Sequence, residues 1–148
     1  MRVAIFFDGK NFYSGWRANA ARRQIESFKI LADWIVERAN GSYFAGAYYY
    51  TGIETGLQEP DGAERQRRLA GFLDMLEAQT GFFVFRFPRK SRQNTCPSCG
   101  ALVQFTTEKE VDTTLVADML RLAAVNAFDI AVVVSGDADL APAVEGVR

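Results

Sequence analysis

The sequence contains no histidine and only two cysteines in 148 residues. Without imidazole there is no Ser-His-Asp or Cys-His catalytic pair, no histidine general acid or base, no HExxH zinc site and no Cys₂His₂ finger. Any catalysis must come from carboxylates, hydroxyls, amines or a metal held by oxygen ligands. Two cysteines in one CxxC spacing do not make a secreted disulfide framework. Long hydrophobic runs are also missing: the longest span a few residues, far short of the ~20 that cross a membrane. The opening Met1–Phe7 is not a signal peptide, because Asp8 interrupts the apolar run too early. These absences lead us to expect a cytoplasmic protein with no membrane partner. No GxxxxGK[ST] stretch occurs, which excludes a P-loop NTPase.

The length fits one domain, and 49% apolar and 13% aromatic residues supply one sizeable core. A chain of this size buries roughly 70% of the surface its unfolded form exposes. The formal net charge is −1 but unevenly spread: residues 60–94 carry 7 basic and 4 acidic side chains, and residues 108–148 carry 3 and 8. A basic middle can attract polyanions and an acidic last third can hold metal, although for any single charge a solvated face is the ordinary reading.

Val3–Phe7 is a short β-prone run ending in Asp8-Gly9-Lys10-Asn11, read as a buried strand and a turn. Phe28, Leu31, Trp34, Ile35 and Arg38 have helical spacing over 27–39, with Asn40-Gly41 as a stop. Tyr43–Tyr50 predicts a second strand, and Gly52–Gly62 a loop. Leu69, Phe72, Leu73 and Leu76 predict a helix over 62–79, closed by Gly81, and Phe82–Phe87 a third strand. Arg89–Gly100 is a polar interruption, and Leu102–Thr106 reads as a short hairpin arm. Leu115, Met119 and Leu122, with Val116, Leu120 and Ala123, give a helix over 111–125 a broad apolar face. Ile130–Val134 is a fourth, aliphatic strand, followed by the turn Ser135–Asp139 and a last helix with Pro142 in its first turn. The alternation predicts an α/β fold with a parallel sheet covered by helices.

In open parallel sheets, ligands bind outside the carboxyl ends of the strands. Asp8 ends the first strand, and Asp137 and Asp139 follow the fourth. If these strands are neighbours, the three carboxylates meet at one edge, and Asp112, opening the 111–125 helix, can join them. Asp118 lies about 120° round that helix and nearly two turns along it, so it stands behind the site. Clustered carboxylates repel unless a cation compensates, and hard oxygen donors favour Mg²⁺ or Mn²⁺. Each residue has a structural alternative: Asp8 as a turn former, Asp112 as a helix N-cap, Asp137 and Asp139 as caps of the last helix. Their joint placement at strand ends favours a metal site.

Asp8-Gly-x-Asn11 resembles the opening motif of NYN domains, in the LabA-like branch of the PIN-like nuclease superfamily. Glu108-Lys109-Glu110-Val111-Asp112, followed by Leu115-Val-Ala-Asp118, is similar to that family's Lys-Gly-Val-Asp…Leu-Ala-x-Asp segment, and Val133-Val-Ser135-Gly-Asp137-Ala-Asp139-Leu to its Ser-Gly-Asp-Ser-Asp-Phe motif. The resemblance spans roughly residues 2 to 147. It implies a three-layer α-β-α PIN-like domain over 1–148, with an insert at about 89–106. The sheet order it implies is 3-2-1-4-5, of which 3-2-1-4 is expected here, the fifth strand that usually follows the last helix being absent after Arg148. It implies a metal-dependent ribonuclease, with Asp8, Asp112, Asp137 and Asp139 at the acidic metal positions. Asn11 matches the family's ligand-orienting Asn, Ser135 the serine beside the metal, and Asp118 a nearby acidic position. Glu110 departs from the family's usual Gly.

In a nuclease, Lys10, Arg17, Arg86, Arg89, Lys90 and Arg92 would hold phosphates, as would Arg65, Arg67 and Arg68. Phe12, Tyr13 and Trp16 can stack on unpaired bases, or Phe12 and Trp16 can simply pack a helix onto the sheet. Cys96-Pro-Ser-Cys99-Gly100 looks like half of a zinc ribbon. Two copies in a homodimer would complete Cys₄. A reduced thiol pair, a redox-labile disulfide and a ribbon without its other half are the remaining readings. The leading expectation is a Mg²⁺- or Mn²⁺-dependent ribonuclease that cleaves single-stranded or flexible RNA with a metal-activated water. The alternatives are a PIN-like module binding RNA or protein without cutting, and a haloacid-dehalogenase-type phosphatase. The phosphatase wants an acid two residues after Asp8, where Lys10 stands.

Overall fold

A computed structural model describes residues 1–19, 27–54, 60–107 and 109–147 of the chain. β1 (Arg2–Asp8) runs directly into α1 (Gly9–Asn19), followed by α2 (Phe28–Arg38), β2 (Tyr43–Ile53), α3 (Pro60–Glu77) and β3 (Phe82–Pro88). β4 (Lys90–Thr95) and β5 (Leu102–Thr107) form a separate antiparallel hairpin. α4 (Lys109–Ala124), β6 (Ile130–Val134), a 3₁₀ turn at Ala138–Leu140 and α5 (Ala141–Gly146) complete the order.

β3, β2, β1 and β6 form one parallel sheet in that order, the order expected for the four main strands. Successive residues of β1 point to opposite faces, so one strand feeds two cores. Val3, Ile5 and Phe7 join Phe28, Ala32, Ile35 and Val36 of α2 and Leu73 and Leu76 of α3. Ala4 and Phe6 join Tyr50 and Val111, Leu115 and Met119 of α4. The result is a three-layer α-β-α fold with β1 at its centre, all six of Val3–Asp8 being buried. β1 is therefore apolar on both sides and shows no alternation, as expected of a strand covered on both faces.

Several boundaries differ from the sequence expectation. Asp8–Asn11 is not a free turn, because the helix begins at Gly9. A Cβ at Gly9 would lie 2.6 Å from the Tyr49 ring and 2.8 Å from the Tyr50 carbonyl oxygen. Glycine is needed for that close approach, and a Gly there reads as a turn in sequence. Gly52 and Ile53 extend β2, and α3 begins at Pro60, which shortens the expected loop. The polar interruption includes a strand, β4, paired with β5 from Lys90↔Thr107 to Thr95↔Leu102. In α2, Trp34 is exposed beneath the Arg38 guanidinium, 5.8 Å from its ring, while Ala32 and Val36 face the core instead. The apolar face of α4 is narrower than expected, with Leu120 outside it.

Arg2, which opens β1, is clamped to Asp129, the residue just before β6. The Arg2 N–H donates to Asp129 Oδ2 at 2.7 Å, its guanidinium donates to both Asp129 oxygens, and the Asp129 N–H returns to the Arg2 carbonyl at 2.9 Å. This clamp sits just before the first β1–β6 partners, Val3 and Ile130, and fixes their register.

The Arg2 guanidinium, then the Arg2 N–H, pull the Asp129 carboxyl down to about 2. A depressed carboxyl stabilises the fold above its ordinary pKa of about 4, and that contribution is lost as pH falls through about 2. The urea midpoints of wild type and Asp129→Asn are therefore expected to converge as pH is lowered through this window. A gap that stays constant would contradict the clamp. Gly9→Ala is expected to lower stability by about 1–3 kcal/mol through overpacking against β2, read from urea unfolding.

Candidate metal centre

The parallel register decides which side chains meet. Phe7 pairs with Val134, so the next residues, Asp8 and Ser135, lie level at the carboxyl ends of neighbouring strands. Alternation turns Asp8 toward the α4 face, with Ala4 and Phe6. Val111 and Leu115 anchor α4 there, and Asp112 between them is carried to the same edge. One carboxylate oxygen from each of Asp8, Asp112 and Asp137 lies within 4.8 Å of the others.

Asp8 is only 2% exposed, and its partners account for its burial. The Asn11 side-chain amide donates to Asp8 Oδ2 at 2.6 Å, and the Ser135 hydroxyl donates to the same oxygen at 2.9 Å. The Asn11 backbone N–H approaches Oδ1 at 3.4 Å. Ser135 Oγ in turn accepts from the Asp137 N–H at 3.0 Å, and Asp137 Oδ1 accepts from the Asp139 N–H at 2.9 Å. This chain of bonds holds the 135–139 turn against the end of β1.

The trio has a high electrostatic cost on its own. Two ionised carboxylates 4.8 Å apart repel by about 3 kcal/mol at an effective dielectric near 20. The donors are carboxylate oxygens with an adjacent hydroxyl, a set that suits a hard divalent cation. Such a cation would replace mutual repulsion by shared attraction.

The other expected residues fall at different distances from this centre. Asp139 is exposed in the 3₁₀ turn and is not in the trio; its backbone N–H donates to the Asp137 carboxylate, which caps that turn. Neither aspartate caps α5 with its side chain, since α5 begins after Leu140 without a side-chain cap. Asp112 lies inside the first turn of α4 rather than at its N-cap. Asp118 accepts from the Tyr50 hydroxyl at 3.0 Å and faces Arg121. Lys10 is exposed in the first turn of α1. Arg86 is paired with Asp74 at 2.8 Å and Glu77 at 3.4 Å, and Arg89 with Glu54 at 2.8 Å. Their charge is thus largely balanced by the protein's own acids. Arg67 and Arg68 pair with Glu64. The side chains of Arg17, Lys90 and Arg92, and Glu108 of the α4 motif, lie outside the described residues.

Two buried tyrosines of β2, Tyr49 and Tyr50, lie next to Asp8 and Gly9 and were not singled out in the sequence. Tyr50 is the β2 partner of Asp8, and the Tyr49 hydroxyl donates to the Gly9 carbonyl at 3.4 Å. Burial first, and then the Asp118 carboxylate, raise the Tyr50 pKa far above its ordinary value. Burial, then the charge of Asp8, does the same for Tyr49. Both remain protonated donors. Their signal in the sequence was position: they end a strand adjacent to the one that ends in Asp8.

Beside the trio opens a cleft of about 430 Å³, lined by Asn11, Phe12 and Trp16 of α1 and by Val134, Ser135 and Gly136 after β6. Phe12 packs edge-on against Phe7 and Phe28, so it belongs mainly to the core. Trp16 forms a wall of the cleft. Its Nε1–H is buried and has no acceptor among the described residues.

No helix among the described residues is long and apolar enough to cross a membrane. No curated protein and no solved structure matches the chain. The family model described as NYN domain matches residues 2–148. The chain therefore belongs to the NYN domain family, a family of PIN-like nucleases that act on RNA.

Proposed function

We propose that the protein is a Mg²⁺- or Mn²⁺-dependent ribonuclease acting on single-stranded or flexible RNA. The observation that carries this reading is the convergence of Asp8, Asp112 and Asp137 at the carboxyl edge of the sheet. Three carboxylates this close repel one another, and a shared divalent cation would offset that repulsion.

Asp8, Asp112 and Asp137 would hold the ion. When bound, it would polarise the scissile phosphate and lower the pKa of an attacking water. The protein's own groups set the geometry. Asn11 and Ser135 both donate to Asp8 Oδ2, which fixes the carboxylate rotamer. The Asp139 N–H holds Asp137, so Asp139 acts here by orienting its neighbour. Asp118 and Tyr50 brace α4 against β2 behind Asp112.

The cleft beside Asp8 has the size of a small-ligand site, whose usual range is about 300–1,000 Å³. It suits an unpaired base next to the scissile phosphate. Trp16 offers an indole wall and an Nε1–H that a base acceptor can satisfy. A base still paired in a duplex cannot enter, which favours single-stranded substrate. Lys10, exposed one turn from Asp8, is placed to meet the phosphate backbone.

RNA cleavage with Mg²⁺ or Mn²⁺ is expected from wild type and to fall at least a hundredfold in Asp137→Asn. Equal cleavage by both removes the assignment, and RNA binding without cleavage by wild type points to a non-catalytic module. A cation that binds only the folded state stabilises it. Mn²⁺ is accordingly expected to raise the melting temperature of wild type, and to do so much less for Asp137→Asn. Trp16→Ala is expected to raise KM for single-stranded RNA about tenfold while sparing the Mn²⁺ shift in melting temperature.

A further inference from the structure

The β4–β5 hairpin takes no part in the centre described above. Among the described residues it is a two-stranded sheet of its own, and its main element-to-element packing is between β4 and β5 themselves. An isolated two-stranded ribbon is marginal in water and needs something to hold it. Its surface is also partly apolar where the strands meet the tip: Leu102 is 69% and Val103 50% exposed.

The tip itself is tightly built. The Cys96 N–H donates to the Ala101 carbonyl at 2.8 Å, and the Gly100 N–H donates to the Cys96 carbonyl at 2.9 Å. Gly100 has φ +72, a backbone conformation natural to glycine, and it turns the chain back into β5. Cys96 and Cys99 stand at the two ends of this turn with two residues between them, and both are free of disulfide. Peptide N–H groups aimed at a sulfur favour its thiolate, the form that binds metal, and they hold the Cys96 pKa below its ordinary value.

We propose that this tip is half of a structural zinc site, completed as a tetrathiolate by Cys96 and Cys99 of a second copy of the chain. Zinc in structural sites takes four ligands in a tetrahedron. The sequence supplies two cysteines and no histidine, so one copy leaves two positions open. Assembly consumes one Zn²⁺ and four thiols, releases four protons to solvent and leaves a dianionic centre. No electrons move. The second hairpin would also cover Leu102 and Val103, and the metal would supply the stability that the lone ribbon lacks.

The test uses the whole chain, reduced and stripped of metal, then titrated with Zn²⁺ or Co²⁺. Light scattering is expected to show the mass doubling as Zn²⁺ is added, in wild type and in Asp137→Asn alike, and reverting with a chelator. Co²⁺ is expected to give thiolate charge-transfer absorption that saturates at half an equivalent per chain. Carboxylates do not produce that band, so metal at the aspartate trio is not mistaken for this site. Cys96→Ser and Cys99→Ser are each expected to stay monomeric and lose the band, with far-UV circular dichroism showing the body still folded. Asp137→Asn is expected to keep both. A thiolate band that saturates at one Co²⁺ per chain in Asp137→Asn, no thiolate band in reduced wild type, or a zinc-induced dimer surviving in Cys96→Ser would overturn the proposal.

Discussion

A carboxylate that is 2% exposed must find partners, and Asp8 finds them on two different segments. Burying an ion without hydrogen bonds costs several kcal/mol, so Asn11 and Ser135 are conditions for the fold as well as features of a site. Because Asn11 is on α1 and Ser135 follows β6, satisfying Asp8 ties the start of α1 to the far side of the sheet. The Asp137 N–H then closes on Ser135, which sets the path of the turn carrying the third carboxylate. The position of the acidic trio follows from how one buried charge is satisfied.

The sheet makes this arrangement stiff. β1 lies between β2 and β6, and both faces of it are packed, so its end has little freedom. Stacked and edge-on aromatics surround it: Phe6 stacks on Tyr48 and Phe7 meets Phe12 and Phe28. Interiors packed in this way resist small displacements. At the other end of the strand, the Arg2–Asp129 clamp holds the register that brings Asp8 level with Ser135.

Charge is handled differently away from the centre. Arg86 and Arg89, which look like an unopposed basic run in sequence, turn onto Asp74, Glu77 and Glu54. Acids distant in sequence balance them, so a local count overstated the positive patch. The described cation closest in sequence to Asp8 is Lys10. The apolar cleft with its indole donor therefore carries more of the substrate argument than long-range attraction does. The hairpin bearing Cys96 and Cys99 projects as a separate unit, with its own requirement for support.

Hydrophobic periodicity alone determined the four sheet strands and the helices over α2, α3 and α4, because their apolar faces repeat at the periods of strand and helix. It also placed Asp8 and Asp137 at strand ends and Asp112 at the start of a helix from which it could join them. The helix after Asp8 was not legible, because Gly9 is there for its close approach to Tyr49 and Tyr50, which the sequence cannot show. β4 was hidden for a related reason: Lys90–Thr95 is polar, and only pairing with β5 makes it a strand. The sequence contained all the acidic groups but could not rank them. Register and face did so, setting Asp8, Asp112 and Asp137 together, leaving Asp139 exposed with its N–H on Asp137 and Asp118 accepting from Tyr50. Local pattern fixes the elements whose apolar faces repeat, which leaves out α1 and β4. Which side chains from distant elements meet depends on strand pairing, which only the tertiary structure decides.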